Sequence, residues 1–341
     1  MKTTYINSRK IEKIFKELHK NFGGKLNASS NEYQLDLNGH FGLGYIKGVS
    51  LKNGVSYLEF DINLNDTIKL NITATKNLPI YFTYCAEGSL AHTFGEKGEK
   101  RVLQKYQTGI LTCKRAEENN LTFKKGERTK ISLIVVNTTT SDTTEGISLN
   151  KKLRNTFFKD QKIESSVYIG SYNLKIGEKI KELNAIKQTG LVRSLMIEGI
   201  VHLILAMEIQ QREDDLKNVA NPTGSLNTKE MDAIKELSEF IIEYPENDYT
   251  LKLLSRKSGL STSKLQEGFK LLHQRTVRDF IVNERIKKSE QLIRATDLNI
   301  SEVVYSIGFT SRSYFSKIFK QKYNCSPKFY KENQNTLAVT A

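Results

Sequence analysis

The sequence predicts an α+β protein of two domains: a small β-barrel with attached helices, then an all-α domain. Three observations carry this. Apolar residues recur with a period of two between about Tyr33 and Asn137. A polar stretch from Asp214 to Thr228 interrupts the helical pattern that follows. Beyond it, an internal repeat with helical periodicity runs to Tyr330. The 341 residues also exceed what one core usually covers.

In the barrel region, Leu58, Phe60, Ile62 and Leu64 alternate with Glu59, Asp61 and Asn63, and Ile68, Leu70 and Ile72 alternate with Lys69, Asn71 and Thr73. Ile80, Phe82 and Tyr84 follow, and Ile131, Leu133 and Val135 close the series. Each such run reads as a strand with one buried face. Asn53-Gly54, Asn65-Asp66 and Glu87-Gly88 are turn signals between them. Many short strands of this kind suggest a small barrel or a sandwich; a cupin-like barrel over about 33–137 is the expectation. The polar run Asn137 to Gly146 ends it.

Helices are expected over Leu149 to Phe158, Ser171 to Ile186 and Leu191 to Arg212. The last carries two apolar stripes. One is Leu191, Leu195, Leu205 and Ile209; the other is Val192, Met196, Ile200, Leu203 and Met207. Together they exceed the face one surface helix needs, so this helix is either sandwiched in a core or shared with a second subunit. Arg193, Glu198 and His202 interrupt Leu191 to Met207, which falls short of the ~20 apolar residues of a membrane span. After the linker, Met231, Ile234, Leu237, Phe240 and Ile241 share a helix face, and Pro245 ends that helix.

The repeat aligns LKLLSRKSGLSTSKLQEGFK, from Leu251, with ISEVVYSIGFTSRSYFSKIFK, from Ile300. Gly259 matches Gly308 at an offset of 49, whereas Leu265 matches Phe315 and Phe269 matches Phe319 at 50, so the second turn is one residue longer. Each copy has the logic of a helix-turn-helix. A short helix ends at a glycine suited to positive φ. A hydrophobic residue, Leu260 or Phe309, packs under the turn, and Ser261, or Thr310 or Ser311, caps the next helix. Gly259, Leu265 and Phe269, and Gly308, Phe309, Phe315, Phe319 and Pro327, are the expected structural core of the two units.

The opposite faces are slim, polar or basic. Thr262, Ser263, Gln266, Glu267 and Lys270 lie on the first, and Arg312, Ser313, Ser316, Lys317 and Lys320 on the second, with Lys322 beyond. A helix entering a major groove ~12 Å wide needs such side chains; arginine pairs bidentately with guanine and glutamine with adenine. Lys317, Lys320 and Lys322 suit phosphates. A helix over Val277 to Thr296 joins the copies and sets their separation, with successive major grooves ~34 Å apart. Charge agrees: Thr250 to Lys331 holds 17 Lys+Arg against 6 Asp+Glu, a net of +11 out of the chain's +14. A clustered basic block is the footprint of a polyanion binder.

The three cysteines, Cys85, Cys113 and Cys325, form no CxxC pair, so neither a disulfide framework nor a zinc site is expected. A reducing, cytoplasmic setting fits this, as does an N-terminus without a signal-peptide core. Five scattered histidines supply no metal set, and no reactive-cysteine motif of a DNA-repair enzyme is visible, so no catalytic role, cofactor or metal is expected. A nonspecific DNA-packaging protein would not need capped, slim recognition helices. His40 and His92 are the histidines able to line a pocket, while Tyr81, Phe82 and Tyr84 read as core.

The stretch IGFTSRSYFSKIFKQKYNCSPKFYK resembles the C-terminal signature of the AraC/XylS regulators, and the resemblance covers about Met231 to Tyr330. It implies a double helix-turn-helix binding double-stranded promoter DNA, with Arg285 at the arginine usual in the linker helix. There are departures. Ser255 and Val304 stand where the family prefers alanine, and glycines usual after the recognition helices are replaced near Gln274 and at Asn324. Gly268 is expected to weaken the first recognition helix by roughly 1 kcal/mol. GLVRSLMIEGIVHLILAMEIQQRE resembles the helix before the linker in regulators of the pyochelin-regulator type, which respond to ferric siderophores; AEGSLAHTF has the same flavour. Together these imply a transcriptional regulator, activator or repressor: a sensor and dimerisation domain over 1–217 (helices about 147–213), a linker over 218–228 and a DNA-binding domain over 229–334. The implied partners are a second copy, a small-molecule effector such as a ferric siderophore or other metal chelate, and RNA polymerase, with no membrane.

Overall fold

The structure is a computed structural model that describes residues 2–6, 8, 10–73, 78–113, 117–138, 148–158, 165–217 and 226–333. Most of the polar run after Asn137, and linker residues 218–225, lie outside these. The chain divides into two compact units, Met1–Thr223 and Gly224–Ala341.

The first unit is built on two sheets. Strands β1 (Lys2–Ile6), β6 (Ile68–Thr73), β11 (Glu118–Phe123), β8 (Ser89–Phe94) and β9 (Arg101–Gln104) form one, in that order, with β1 parallel to β6. The other runs β13 (Ser166–Tyr172), β10 (Gln107–Thr112), β7 (Pro79–Glu87), β12 (Arg128–Asn137), β5 (Val55–Leu64), β4 (Gly42–Ser50), β3 (Glu32–Gly39), β2 (Lys25–Ser29), all antiparallel. Neither sheet closes on itself, so the expected closed barrel is corrected to the sandwich alternative. The core lies between the sheets: Leu58, Phe60, Ile62 and Leu133 from the larger meet Leu70, Leu90, Leu121 and Phe123 from the smaller. Helix α1 (Ile11–Phe22) adds Ile11, Phe15, Leu18 and Phe22, a stripe at i, i+4 and i+7 with one further turn.

Strand β5 departs from the one-faced expectation. Tyr57, Glu59 and Asp61, on its other face, are buried too. The Glu59 carboxylate accepts from Tyr45 (3.0 Å), Tyr57 (2.9 Å) and Asn184 (2.7 Å), and Arg128 donates to Asp61 at 3.0 Å. Asn184 closes α3 (Leu174–Asn184), which lies over this face and packs on α4 (Gly190–Lys217). Coverage by helices distant in sequence makes an alternating strand buried on both faces. The helix expected from Ser171 starts at Leu174, because Ser171 belongs to β13; α2 (Leu149–Phe157) completes the unit.

Neither predicted stripe of α4 is its packing seam. The buried residues are Ile197, Val201, Ile204, Leu205 and Glu208, whereas Leu191, Val192, Leu195, Met196 and Leu203 are exposed, Leu191 by 74%. By length and composition alone α4 is long and apolar enough to cross a membrane, a test that a packed core helix also passes. Its contacts with α3 and β13, and the bidentate Arg193–Glu32 pair (2.7 Å for both bonds), join it to the sandwich.

The second unit is helical among its described residues: α5 (Thr228–Glu243), α6 (Leu251–Ser258), α7 (Thr262–His273), α8 (Val277–Ala295), α9 (Ile300–Ser306), α10 (Arg312–Tyr323) and α11 (Pro327–Glu332). A capping box of Asn227 and Glu230 opens α5, which buries Met231, Ile234, Leu237 and Ile241. A core of Ile286, Ile293, Val303, Val304, Phe315 and Phe319 fastens α8, α9 and α10 together.

Candidate nucleic-acid interface

Both predicted turns are built from local chemistry. Thr250 caps α6, accepting from Leu253 N at 3.1 Å, and Gly259 ends it at φ 70°. Ser261 then caps α7, accepting from Lys264 N at 3.3 Å. In the second copy a capping box of Asn299 and Glu302 opens α9. Gly308 follows at φ 79°, and Ser311, rather than Thr310, caps α10 by accepting from Tyr314 N at 3.2 Å. Leu265, Phe269, Phe315 and Phe319 are fully buried, Phe309 is 5% exposed, and Pro327 is buried at the first position of α11.

The replaced glycines keep the glycine conformation: Gln274 ends α7 at φ 54° and Asn324 ends α10 at φ 58°. The replaced alanines are accommodated as well. Ser255 donates to Leu260 O at 2.5 Å, across the turn, and Val304 is fully buried. Gly268 has a reason beyond conformation. A Cβ there would sit 2.5 Å from Ile234 Cγ1 and 2.6 Å from its Cδ1, so the glycine is where α5 presses onto α7.

Arg285, midway along α8, fixes the two copies to one frame. It donates from Nε to Pro245 O (2.8 Å), from Nη1 to Gly308 O (2.7 Å) and from Nη2 to Asn247 O (2.9 Å). Burial lowers its pKa from the ordinary guanidinium value, against the opposing pull of Asp248. Gly308 is needed for close approach as well as for its φ, since a Cβ would lie 2.5 Å from Glu246 O and 3.0 Å from Arg285 Nη2.

Of the candidate contacts on α7, Thr262, Ser263 and Lys270 are exposed, and Gln266 and Glu267 are half-buried. Gln266 Oε1 accepts from Val277 N at 3.2 Å, at the start of α8. That bond takes one lone pair of Oε1 and ties the amide to the start of α8; a bidentate adenine contact would have to use the other lone pair together with Nε2. On α10, Arg312, Ser313, Lys317 and Lys320 are exposed and Ser316 is half-buried. Arg312 Nη1 donates to Ser301 at 3.1 Å, an exposed bond that holds the guanidinium against α9. Lys322 donates to Asn283 Oδ1 on α8 at 2.7 Å, and burial, then Lys287, lowers its pKa. This bond ties Lys322, the expected phosphate contact, to α8.

Between the copies lies a cavity of about 420 Å³ whose lining includes Arg278, Arg285, Thr310 and Tyr314. The sequence reading passed over Arg278 and Tyr314, both exposed. The signal for Arg278 was its place at the second residue of α8, next to the capped turn.

The helix-turn-helix domain family matches residues 254–333. The chain is 25% identical over 131 residues to the transcriptional regulator AlkR of Acinetobacter baylyi, covering 38% of this chain and 43% of AlkR. It is 26% identical over 98 residues to the regulatory protein SoxS of Escherichia coli, covering 29% of this chain and 92% of SoxS. A solved C-terminal domain of the response regulator yesN from Fusobacterium nucleatum is 34% identical, covering 28% of this chain and 96% of that one at a TM-score of 0.27. The chain spans less than half the length of the first curated relatives it matches, 43% of AlkR and 9% of the histidine kinase P4 of Formosa agariphila. With two capped turns, two buried apolar seams and the family match over residues 254–333, the C-terminal unit is an AraC-type helix-turn-helix domain.

Proposed function

We propose that this chain is a sequence-specific, promoter-binding transcription regulator whose first unit senses an effector. One observation carries it: α7 and α10 each bury one seam and leave Thr262, Ser263 and Lys270, or Arg312, Ser313, Lys317 and Lys320, on the exposed side. Slim donors on a capped helix are what base reading requires, and the lysines suit phosphates. Binding promoter DNA places the protein in the cytoplasm and makes RNA polymerase the further partner of an activator.

Residues 1–217 serve as the sensor and dimerisation domain, 218–228 as the linker and 229–334 as the reader. A second copy covers the exposed Leu191, Val192, Leu195 and Met196 of α4, an apolar run that water leaves unpaired. The cupin-like character of the sandwich belongs to the same reading. So does a ferric siderophore or other metal chelate as effector, which rests on the resemblance of residues 190–213 and 86–94.

The test is fluorescence anisotropy on the chain's own upstream DNA and on scrambled DNA across a salt series. Binding to the former tighter by ~10³ or more is expected, with both affinities rising as salt falls. Equal affinity for both DNAs, with and without effector, sinks the proposal.

A further inference from the structure

Inside the sandwich, His92 on β8 is 4% exposed and Asn119 on β11 fully buried. They share an inward-facing side of their sheet, because His92 alternates with the core residue Leu90, and Asn119 with Leu121 and Phe123. His92 Nε2 and Asn119 Oδ1 are hydrogen-bonded at 2.5 Å. Their other polar atoms, His92 Nδ1 and Asn119 Nδ2, are buried without a partner among the described residues. Buried polar groups are nearly always satisfied, so orphaned neighbours call for a missing group.

Its chemistry follows from counting hydrogens. If Asn119 Oδ1 accepts, His92 Nε2 carries the proton; Nδ1 is then a bare acceptor and the Asn119 amide a spare donor. If the amide is turned round, Nδ1 donates and the amide oxygen accepts. Either way the pair offers one donor and one acceptor, side by side. Burial holds the His92 pKa down to about 4, so the ring is neutral at pH 7 and offers an anion no counter-charge. The surroundings are apolar. A cavity of about 70 Å³ opens between the sheets, with Leu58, Phe60, Leu70, Ile72, Tyr81 and Leu133 in its wall; His92, Asn119 and Thr83 stand outside that wall, so a ligand reaching the pair must extend the cavity past Ile72. Asn119 pairs with Ile72 of that wall, and His92 lies one strand further, opposite Leu121. Thr83, also inward-facing by its alternation with Tyr81 and Cys85, has a buried hydroxyl without a partner among the described residues.

We propose that His92 and Asn119 are the polar end of an effector site between the sheets, taking a small, neutral, largely apolar molecule through one group that donates and accepts: a hydroxyl, a primary amide or a protonated carboxyl. This rests on the effector-sensing reading above and departs from its metal-chelate effector. A charged iron chelate does not match the pair.

The probes are benzyl alcohol and toluene, alike in shape and differing in the hydroxyl. Binding to the full chain is followed by calorimetry and by the ring-nitrogen NMR signals of His92. Benzyl alcohol is expected to bind at least ~10-fold more tightly than toluene, two added hydrogen bonds being enough for that, and to shift the His92 Nδ1 signal. In the H92L/N119L double variant the two affinities should converge. Equal affinities in the natural chain, no binding of either probe, or an unmoved His92 signal overturns the site; the NMR readout needs no variant to fold. Promoter affinity in the same samples separates the two readings. If benzyl alcohol binds at His92 and no occupant of the site changes promoter affinity, sensing falls and the site stands. If promoter affinity responds to some other small molecule while His92 stays silent, the site falls and sensing stands.

Discussion

Replacing Gly268 by alanine sets two magnitudes of opposite sign against each other. Within a helix, Gly→Ala is worth up to about 1 kcal/mol in favour of folding. Against this, the new methyl carbon meets Ile234 Cγ1 at 2.5 Å and Cδ1 at 2.6 Å, and Ile234 is fully buried, so the core must shift to admit it. Over-packing of this kind costs about 1–3 kcal/mol, leaving G268A between neutral and about 2 kcal/mol destabilised. Native-state hydrogen exchange of the α7 amides is the suitable assay, because it reports this unit's stability without two-state unfolding of the whole chain. The decisive comparison is with I234A, which alone costs about 2–5 kcal/mol. In that background the clash is gone, and G268A should stabilise by up to about 1 kcal/mol. A G268A variant that is already about 1 kcal/mol more stable in the natural background would refute the contact between α5 and α7 as the reason for the glycine.

Three further outcomes are expected. Arg312→Ala should relax preference at one base pair at a cost of about 1–3 kcal/mol, whereas Lys320→Ala should weaken all sequences alike and flatten the salt slope by about one unit; anisotropy on operator variants separates the two. Arg285→Lys should fail to restore what Arg285→Ala loses in stability and affinity, since an ammonium cannot reach three carbonyls with one planar fork; thermal unfolding beside DNA titration checks it. Burial raises the Glu208 pKa well above its ordinary value, so the folded chain keeps a proton that the unfolded chain releases above about pH 4.5. That works against folding from about pH 4.5 upward and vanishes below it. Glu208→Gln should therefore be more stable than the natural chain at pH 7 and should lose that advantage below about pH 4.5, as read by denaturant midpoints.

The helix-turn-helix units were legible because their determinants are local and occur twice: Gly259 and Gly308 at the turns, Ser261 and Ser311 at the caps, and apolar pairs four residues apart, Leu265 with Phe269 and Phe315 with Phe319. Residues whose role depends on distant chain were not. Gly268 reads as a weak point until Ile234, 34 positions earlier, is placed on it. Glu59 reads as solvent-facing until Asn184 of α3 arrives, and Gln266 and Lys322 read as free until α8 engages them. The missed helix α1 was a different failure. Its stripe of Ile11, Phe15, Leu18 and Phe22 is plain in the sequence and needs no distant chain to be read.

The connector α8 has 19 residues, a length of about 28 Å at 1.5 Å per residue, and the three carbonyl bonds of Arg285 oppose its stretching. The duplex repeats its groove every ~34 Å. A stiff gauge shorter than the pitch it measures shifts the strain to the more compliant body, which is the DNA. If the length of α8 sets the separation at which α7 and α10 seat together, the duplex curves toward the protein, and curvature of 40–90° costs of order 1–6 kcal/mol depending on sequence. Operators would then be sorted in part by the elasticity of the base pairs between the two footprints, where pyrimidine–purine steps yield most easily and no side chain need touch a base.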